Sequence, residues 1–163
     1  QAVAEERPSP LTTIPNIRLP RRYSAQGAGG LGEGRCVTRR SPAPVTRAQS
    51  GQVLRCRIVV WTDRPLTHVM IEDPIPSNFR IVDSDLPSFG YSWDEWWSRS
   101  VYLDDKAVIF AEQVVPGKAW AVEYAVRAEI PGKCVARPAV LSKMYQPDSR
   151  ASTSAMEFEV TSK

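Results

Sequence analysis

Apolar and polar residues alternate from Gln52 to Trp61. Leu54, Cys56, Ile58 and Val60 fall on one side, Arg55 and Arg57 on the other. A period of two is that of a half-buried strand. Asp63-Arg64-Pro65 breaks the run. A second run, Leu66 to Glu72, is stopped by Pro74 and Pro76. Phe79 to Val82 predicts a brief strand. Ser100 to Leu103 and Ala107 to Val115 flank Asp104-Asp105-Lys106, which reads as a tight hairpin turn. Two Pro-Gly turns, Pro116-Gly117 and Pro131-Gly132, bound a long strand from Ala119 to Ile130 and set its register. Val135 to Leu141 and Ser154 to Thr161 complete the set. In the last, Met156, Phe158 and Val160 point one way, Glu157 and Glu159 the other.

Turn residues recur about every 8–12 positions, a spacing that predicts an all-β, antiparallel β-sandwich. Fourteen prolines agree, since proline punctuates strands and disfavours helix interiors. Residues 1–16 are polar and aperiodic and read as a linker; residues 17–163 read as the sandwich domain, with an irregular Gly/Pro-rich N-terminal region. Residues 24–34 hold five of the nine glycines. No Gly-Lys-Ser/Thr follows them, and Cys36-Val37-Thr38 looks like a strand, so a hairpin or loop is expected there, not a phosphate cradle. Residues 85–99 fit a loop, a short helix or a distorted edge strand.

Length and charge narrow the function. The 163 residues suit one domain, or one domain plus a tail, and can bury a full core. Net charge is only +3 and the basic residues are scattered, which argues against nucleic acid as a partner. No run of 18 apolar residues exists, so no membrane insertion is expected of this segment. Residues 1–10 lack the basic start and apolar stretch of a signal peptide.

The candidate chemistry is sparse. Cys36, Cys56 and Cys134 form no CxxC, and His68 stands alone, so neither a metal nor a cofactor is expected. Cys56 shares a phase with Leu54, Ile58 and Val60 and reads as a buried thiol; a Cys36–Cys134 or Cys36–Cys56 bridge is the alternative in an oxidising compartment. Glu72-Asp73 and Asp104-Asp105 are adjacent carboxylates. Neighbours on a strand face opposite sides, so strand ending and turn formation explain them better than acid–base work. No nucleophile elbow is present, and no catalytic residue is assigned. Trp93, Trp96 and Trp97, with Phe89 and Tyr91, concentrate aromatic surface. They suit either cover for one end of the core or a surface that binds carbohydrate or protein. Met144-Tyr145 follows the alternating runs and precedes Gln146-Pro147, where a strand runs out into a Pro-bounded loop. That place can present an apolar tip to a partner.

Several blocks carry a family resemblance. Glu72-Asp73-Pro74-Ile75-Pro76 is the first, and Leu103-Asp104-Asp105-Lys106-Ala107-Val108-Ile109-Phe110 the second. Pro116-Gly117, Tyr124, Arg127-Ala128, Pro131-Gly132 and Arg137-Pro138-Ala139 follow, then Met144-Tyr145 and Pro147-Asp148. In this order, over about residues 50–160 of the chain, they resemble the C-terminal macroglobulin-like domain of bacterial alpha-2-macroglobulins, the domain after the thioester domain. Arg137 departs from a family proline and Cys134 from a family aromatic. The resemblance implies a macroglobulin-like sandwich that is a non-catalytic part of a protease-trapping inhibitor. It implies periplasmic or cell-envelope placement. Its partners would be the thioester domain and neighbouring macroglobulin domains, in the same chain or in a partner, with proteases engaged indirectly. It also implies that Met144 and Tyr145 pack over the thioester and limit attack by water. This chain has no thioester of its own. Phe110-Ala111-Glu112-Gln113 places a phenylalanine where Cys-x-Glu-Gln requires the thiol.

Overall fold

The computed structural model describes residues 12–13, 17–25, 45–82 and 96–163. Its strands are β1 (Thr12–Thr13), β2 (Ile17–Arg18), β3 (Arg21–Ala25), β4 (Arg47–Gln49), β5 (Val53–Thr62), β6 (Leu66–Pro74) and β7 (Phe79–Val82). Then come β8 (Arg99–Tyr102), β9 (Lys106–Val114), β10 (Trp120–Ala128), β11 (Gly132–Ala136), β12 (Val140–Lys143), β13 (Gln146–Ser152) and β14 (Met156–Thr161). No helix occurs among the described residues, and none is long and apolar enough to cross a membrane. Cys36, Trp93 and most of the aromatic stretch at 85–99 lie outside the described residues.

Three sheets share the strands. The first runs β1-β13-β12-β6-β9-β8, the second β2-β5-β10-β7 with β3 also on β5, and the third β11-β14-β4. All pairings are antiparallel except β1 on β13 and β4 on β14. The all-β antiparallel sandwich is therefore as expected. Residues Thr12 and Thr13, within the expected linker, add to the edge of β13. β2 and β3 follow one register along β5, from Ile17 opposite Thr62 to Ala25 opposite Leu54. They part at Leu19-Pro20 because Pro20 has no N–H to donate. Its carbonyl still accepts from Val59 N–H at 3.0 Å.

Alternation explains what is inside. On β5, Leu54, Cys56, Ile58 and Val60 are buried, as their shared phase predicts. Buried residues from all three sheets form one core. Phe158 of β14 joins the third sheet to it, edge-on to Tyr23 (ring centroids 4.8 Å apart) and to Phe79 (5.4 Å). The Asp104-Asp105 turn is also as predicted, with Leu103 N–H donating to the Lys106 carbonyl at 2.9 Å.

Two expectations need correction and a third is incomplete. Residues 135–141 are not one strand. β11 ends at Ala136, Arg137-Pro138-Ala139 crosses over, and β12 begins in a different sheet. Pro138 cannot extend a ladder, and the chain uses that break to change sheets. Met144-Tyr145 does not open a Pro-bounded loop. It is the two-residue turn of the β12–β13 hairpin, and Pro147 lies within β13. Finally, Asp73 does stand at the end of a strand, as expected, but strand ending is not its whole role. It is fully buried inside β6.

Candidate functional site

The hairpin tip is built by a tight turn that lacks the usual conformation. Two-residue hairpin turns normally need positive φ at their central residues to match strand twist. Among the described non-glycine residues only His68 has positive φ. The ladder adjusts instead. Ser142 faces Arg150, but Lys143 faces Gln146, so residues 147–149 form extra backbone on β13. Pro147 falls there, where no N–H is required. Beyond the shift, Lys143 Nζ donates to Gln146 Oε1 at 3.5 Å. The tip so formed presents Met144, 46% exposed, and Tyr145, 77% exposed.

His68 lies beside this tip. The Met144 N–H donates to the His68 carbonyl at 2.8 Å. The Tyr145 ring stands edge-on to the imidazole, centroids 5.0 Å apart and planes at 71°. His68 itself sits at a left-handed φ of 51°. Thr67 pairs with Gln113 and Val69 with Ala111, while His68 between them drops out of the β6–β9 ladder. In the sequence His68 is a lone histidine with nothing nearby to mark it. A gap of 77 positions hides its contact with Tyr145.

A second polar group lies in the core. Asp73 of β6 accepts from the Arg21 guanidinium of β3 and the Tyr124 hydroxyl of β10. It also faces the Cys56 thiol of β5 at 3.5 Å. Arg21 Nη2 donates to the Ala136 carbonyl at 3.0 Å. The cluster therefore ties all three sheets together. Tyr23, Cys56 and Tyr124 form one cross-strand row, which is why they meet. Burial pushes the Asp73 carboxyl up, while Arg21 and the hydrogen bonds from Tyr124 and Cys56 pull against it. Burial alone would lower the Arg21 guanidinium; Asp73 carries it above its ordinary value. Three converging donors fit an ionised carboxylate, so the pair is ionic.

The side chains of this cluster are almost wholly inaccessible. Burial sets how its groups titrate. Burial pushes the Cys56 thiol and the Tyr23 and Tyr124 hydroxyls well above their usual ranges. The folded state thus keeps protons that the unfolded chain releases, from about pH 8.5 for cysteine and about 10 for tyrosine. Stability is full below those values and falls as pH rises, with a slope of up to about 1.4 kcal/mol per pH unit for each group. Urea midpoints measured between pH 7 and 11 are expected to fall steadily above pH 9. A flat profile would contradict it.

The tryptophans are placed in part. Trp96 and Trp97 are half-buried against the core. Trp96 donates its indole N–H to the Ala121 carbonyl at 2.9 Å and packs against both Trp97 and Trp120. Trp93 lies outside the described residues. Cys56 and Cys134 are buried free thiols. Among the described residues no group of three or more His, Cys, Asp or Glu could hold a metal.

Known proteins share this fold. The chain is 30% identical over 127 residues to an alpha-2-macroglobulin homolog of Nostoc, a match that takes in 74% of this chain and 6% of the relative. The Escherichia coli alpha-2-macroglobulin structure from domain MG7 to the C-terminus superposes with a TM-score of 0.71 at 15% identity, over 94% of this chain and 24% of that one. Salmonella alpha-2-macroglobulin reacted with methylamine gives 0.67 at 20% identity, over 89% and 9%. At these identities the two structures speak to the fold. The chain spans under a quarter of the length of each of these relatives. Residues 19–148 match the family described as the bacterial alpha-2-macroglobulin MG10 domain. With most of its length so matched, this chain belongs to the bacterial alpha-2-macroglobulin family as an MG10 domain.

Proposed function

We propose that this domain packs against a thioester domain and that Met144 and Tyr145 close over the thioester. The observation that carries the reading is the tip itself. An aromatic ring 77% exposed and a methionine 46% exposed share a two-residue turn on a firmly paired hairpin. A soluble surface seldom places two such side chains together without a partner to cover them. A thioester is an activated acyl group that water or an amine opens. A thioether and a phenol ring laid over it exclude water without contributing a reactive group. Methylamine, with which the Salmonella relative was reacted, is the kind of nucleophile that opens a thioester.

On this reading the domain is non-catalytic. It belongs to a periplasmic or cell-envelope inhibitor that traps proteases, and it holds the uncleaved form closed. Movement of the two domains apart would lift the tip and expose the acyl group.

The test is a pair of variants, Met144→Ala and Tyr145→Ala, in a protein carrying this domain beside its thioester domain. Thioester lifetime in water is expected to fall by about tenfold or more for Tyr145→Ala, the order that about 1.4 kcal/mol of lost shielding would produce. Domain stability is expected to change by less than about 1 kcal/mol, because both side chains are exposed. An unchanged hydrolysis rate in both variants would sink the proposal.

A further inference from the structure

We propose that His68 is the positioning residue for Tyr145, holding its ring at the angle at which it covers the acyl group; this rests on the shielding function proposed above. Three observations converge on it. The imidazole is the ring against which Tyr145 stands, at 5.0 Å and 71°. The His68 carbonyl accepts the N–H of the adjacent tip residue, Met144, at 2.8 Å. And His68 alone among the described non-glycine residues adopts a left-handed backbone, with φ at 51°.

The strain is informative because of where it falls. Left-handed backbone is costly for a residue with a Cβ, and such outliers gather where a side chain must be aimed. Glycine would relieve the strain but would bring no ring. The distortion takes His68 out of the β6–β9 ladder, while Thr67 and Val69 on either side keep their partners. The twist is therefore confined to a residue that touches both members of the tip. An exposed tyrosine has two free side-chain torsions. Without a backing ring it would sample several rotamers, and only some would lie over a neighbouring thioester. His68 restricts that choice from β6, where its neighbour Val69 pairs with Lys143 of β12 and Ala111 of β9 and anchors the support.

The test separates support from folding. Asparagine tolerates the left-handed backbone but has no ring, so His68→Asn removes the contact and spares the strand. Phenylalanine keeps a ring, so His68→Phe is the rescue. In the thioester-bearing protein, His68→Asn is expected to shorten thioester lifetime about twofold to tenfold, the range of an aromatic pair. His68→Phe is expected to retain most of the lifetime. The double variant His68→Asn/Tyr145→Ala is expected to be no worse than Tyr145→Ala alone, because the two act as a unit. In this chain, the ring-proton NMR shifts of Tyr145 are expected to move toward free-tyrosine values in His68→Asn. Unmoved shifts, or additive effects in the double variant, would overturn the positioning role while leaving the shielding by Tyr145 intact. If Tyr145→Ala itself leaves the lifetime unchanged, the shielding function fails, and the positioning role fails with it.

Discussion

Arg21→Ala is expected to destabilise the domain by about 3–5 kcal/mol, the loss typical of removing one partner from a buried ion pair. Both side chains are almost wholly inaccessible. Alanine would leave the Asp73 carboxylate with only a phenol and a thiol as donors. It would also strand the Ala136 carbonyl that Arg21 serves on β11. The deficit carries a pH signature. Burial already pushes the Asp73 carboxyl up. Without the opposing cation it rises further, and the folded variant takes up a proton that the unfolded chain holds only below about pH 4. A raised folded value adds stability at acid pH and loses it as pH climbs, so the variant's deficit is smaller at pH 5 than at pH 8. Urea unfolding at both values checks this; equal deficits would mean that Asp73 is not the group left exposed to the loss. Replacing both partners by apolar residues, Arg21→Met with Asp73→Leu, is expected to recover much of the stability, since no charge is then buried.

Phe158→Ala is expected to cost about 3–5 kcal/mol, the usual range for emptying a buried phenylalanine site. Two features place it near the top of that range. The ring packs edge-on against both Tyr23 and Phe79, so its removal opens a void between two large neighbours. Tyr23 and Phe79 belong to the second sheet, whereas Phe158 belongs to the third. The substitution therefore also loosens the join between sheets. Glu157→Ala, next along the same strand on the exposed side, is expected to change stability by less than about 0.5 kcal/mol. A similar small loss from Phe158→Ala would show that the third sheet is held by other contacts.

Local pattern made most of this fold legible. The alternation of β5 and β14 named their buried faces correctly, and paired aspartates marked the β8–β9 turn. What sequence hid were relations set by the third dimension. Asp73 looked like a strand terminator because prolines follow it. Yet it shares parity with Val69 and Ile71, both buried, and that parity was the available clue. Nothing in the run Arg21-Arg22-Tyr23 says that its first arginine turns inward, because the reason is a carboxylate 52 positions away. Residues 135–141 look like one strand because apolar residues flank Arg137-Pro138 on both sides, but the missing N–H of Pro138 matters more than hydropathy. Met144 and Tyr145 were singled out from sequence. Their supporting residue was not, because backbone strain at His68 leaves no mark on composition.

The Arg21 contacts also bear on the order in which the molecule can assemble. The cation stands near the start of the chain, its carboxylate follows 52 residues later, and the carbonyl that completes its coordination lies 115 residues on. The carboxylate can neutralise the cation once Asp73 is made, but the carbonyl contact must wait until most of the domain has been synthesised. Closing so long a loop is slow. β3 therefore keeps its last tie open through most of the domain, and a chain truncated before Ala136 would lack the final hold on it.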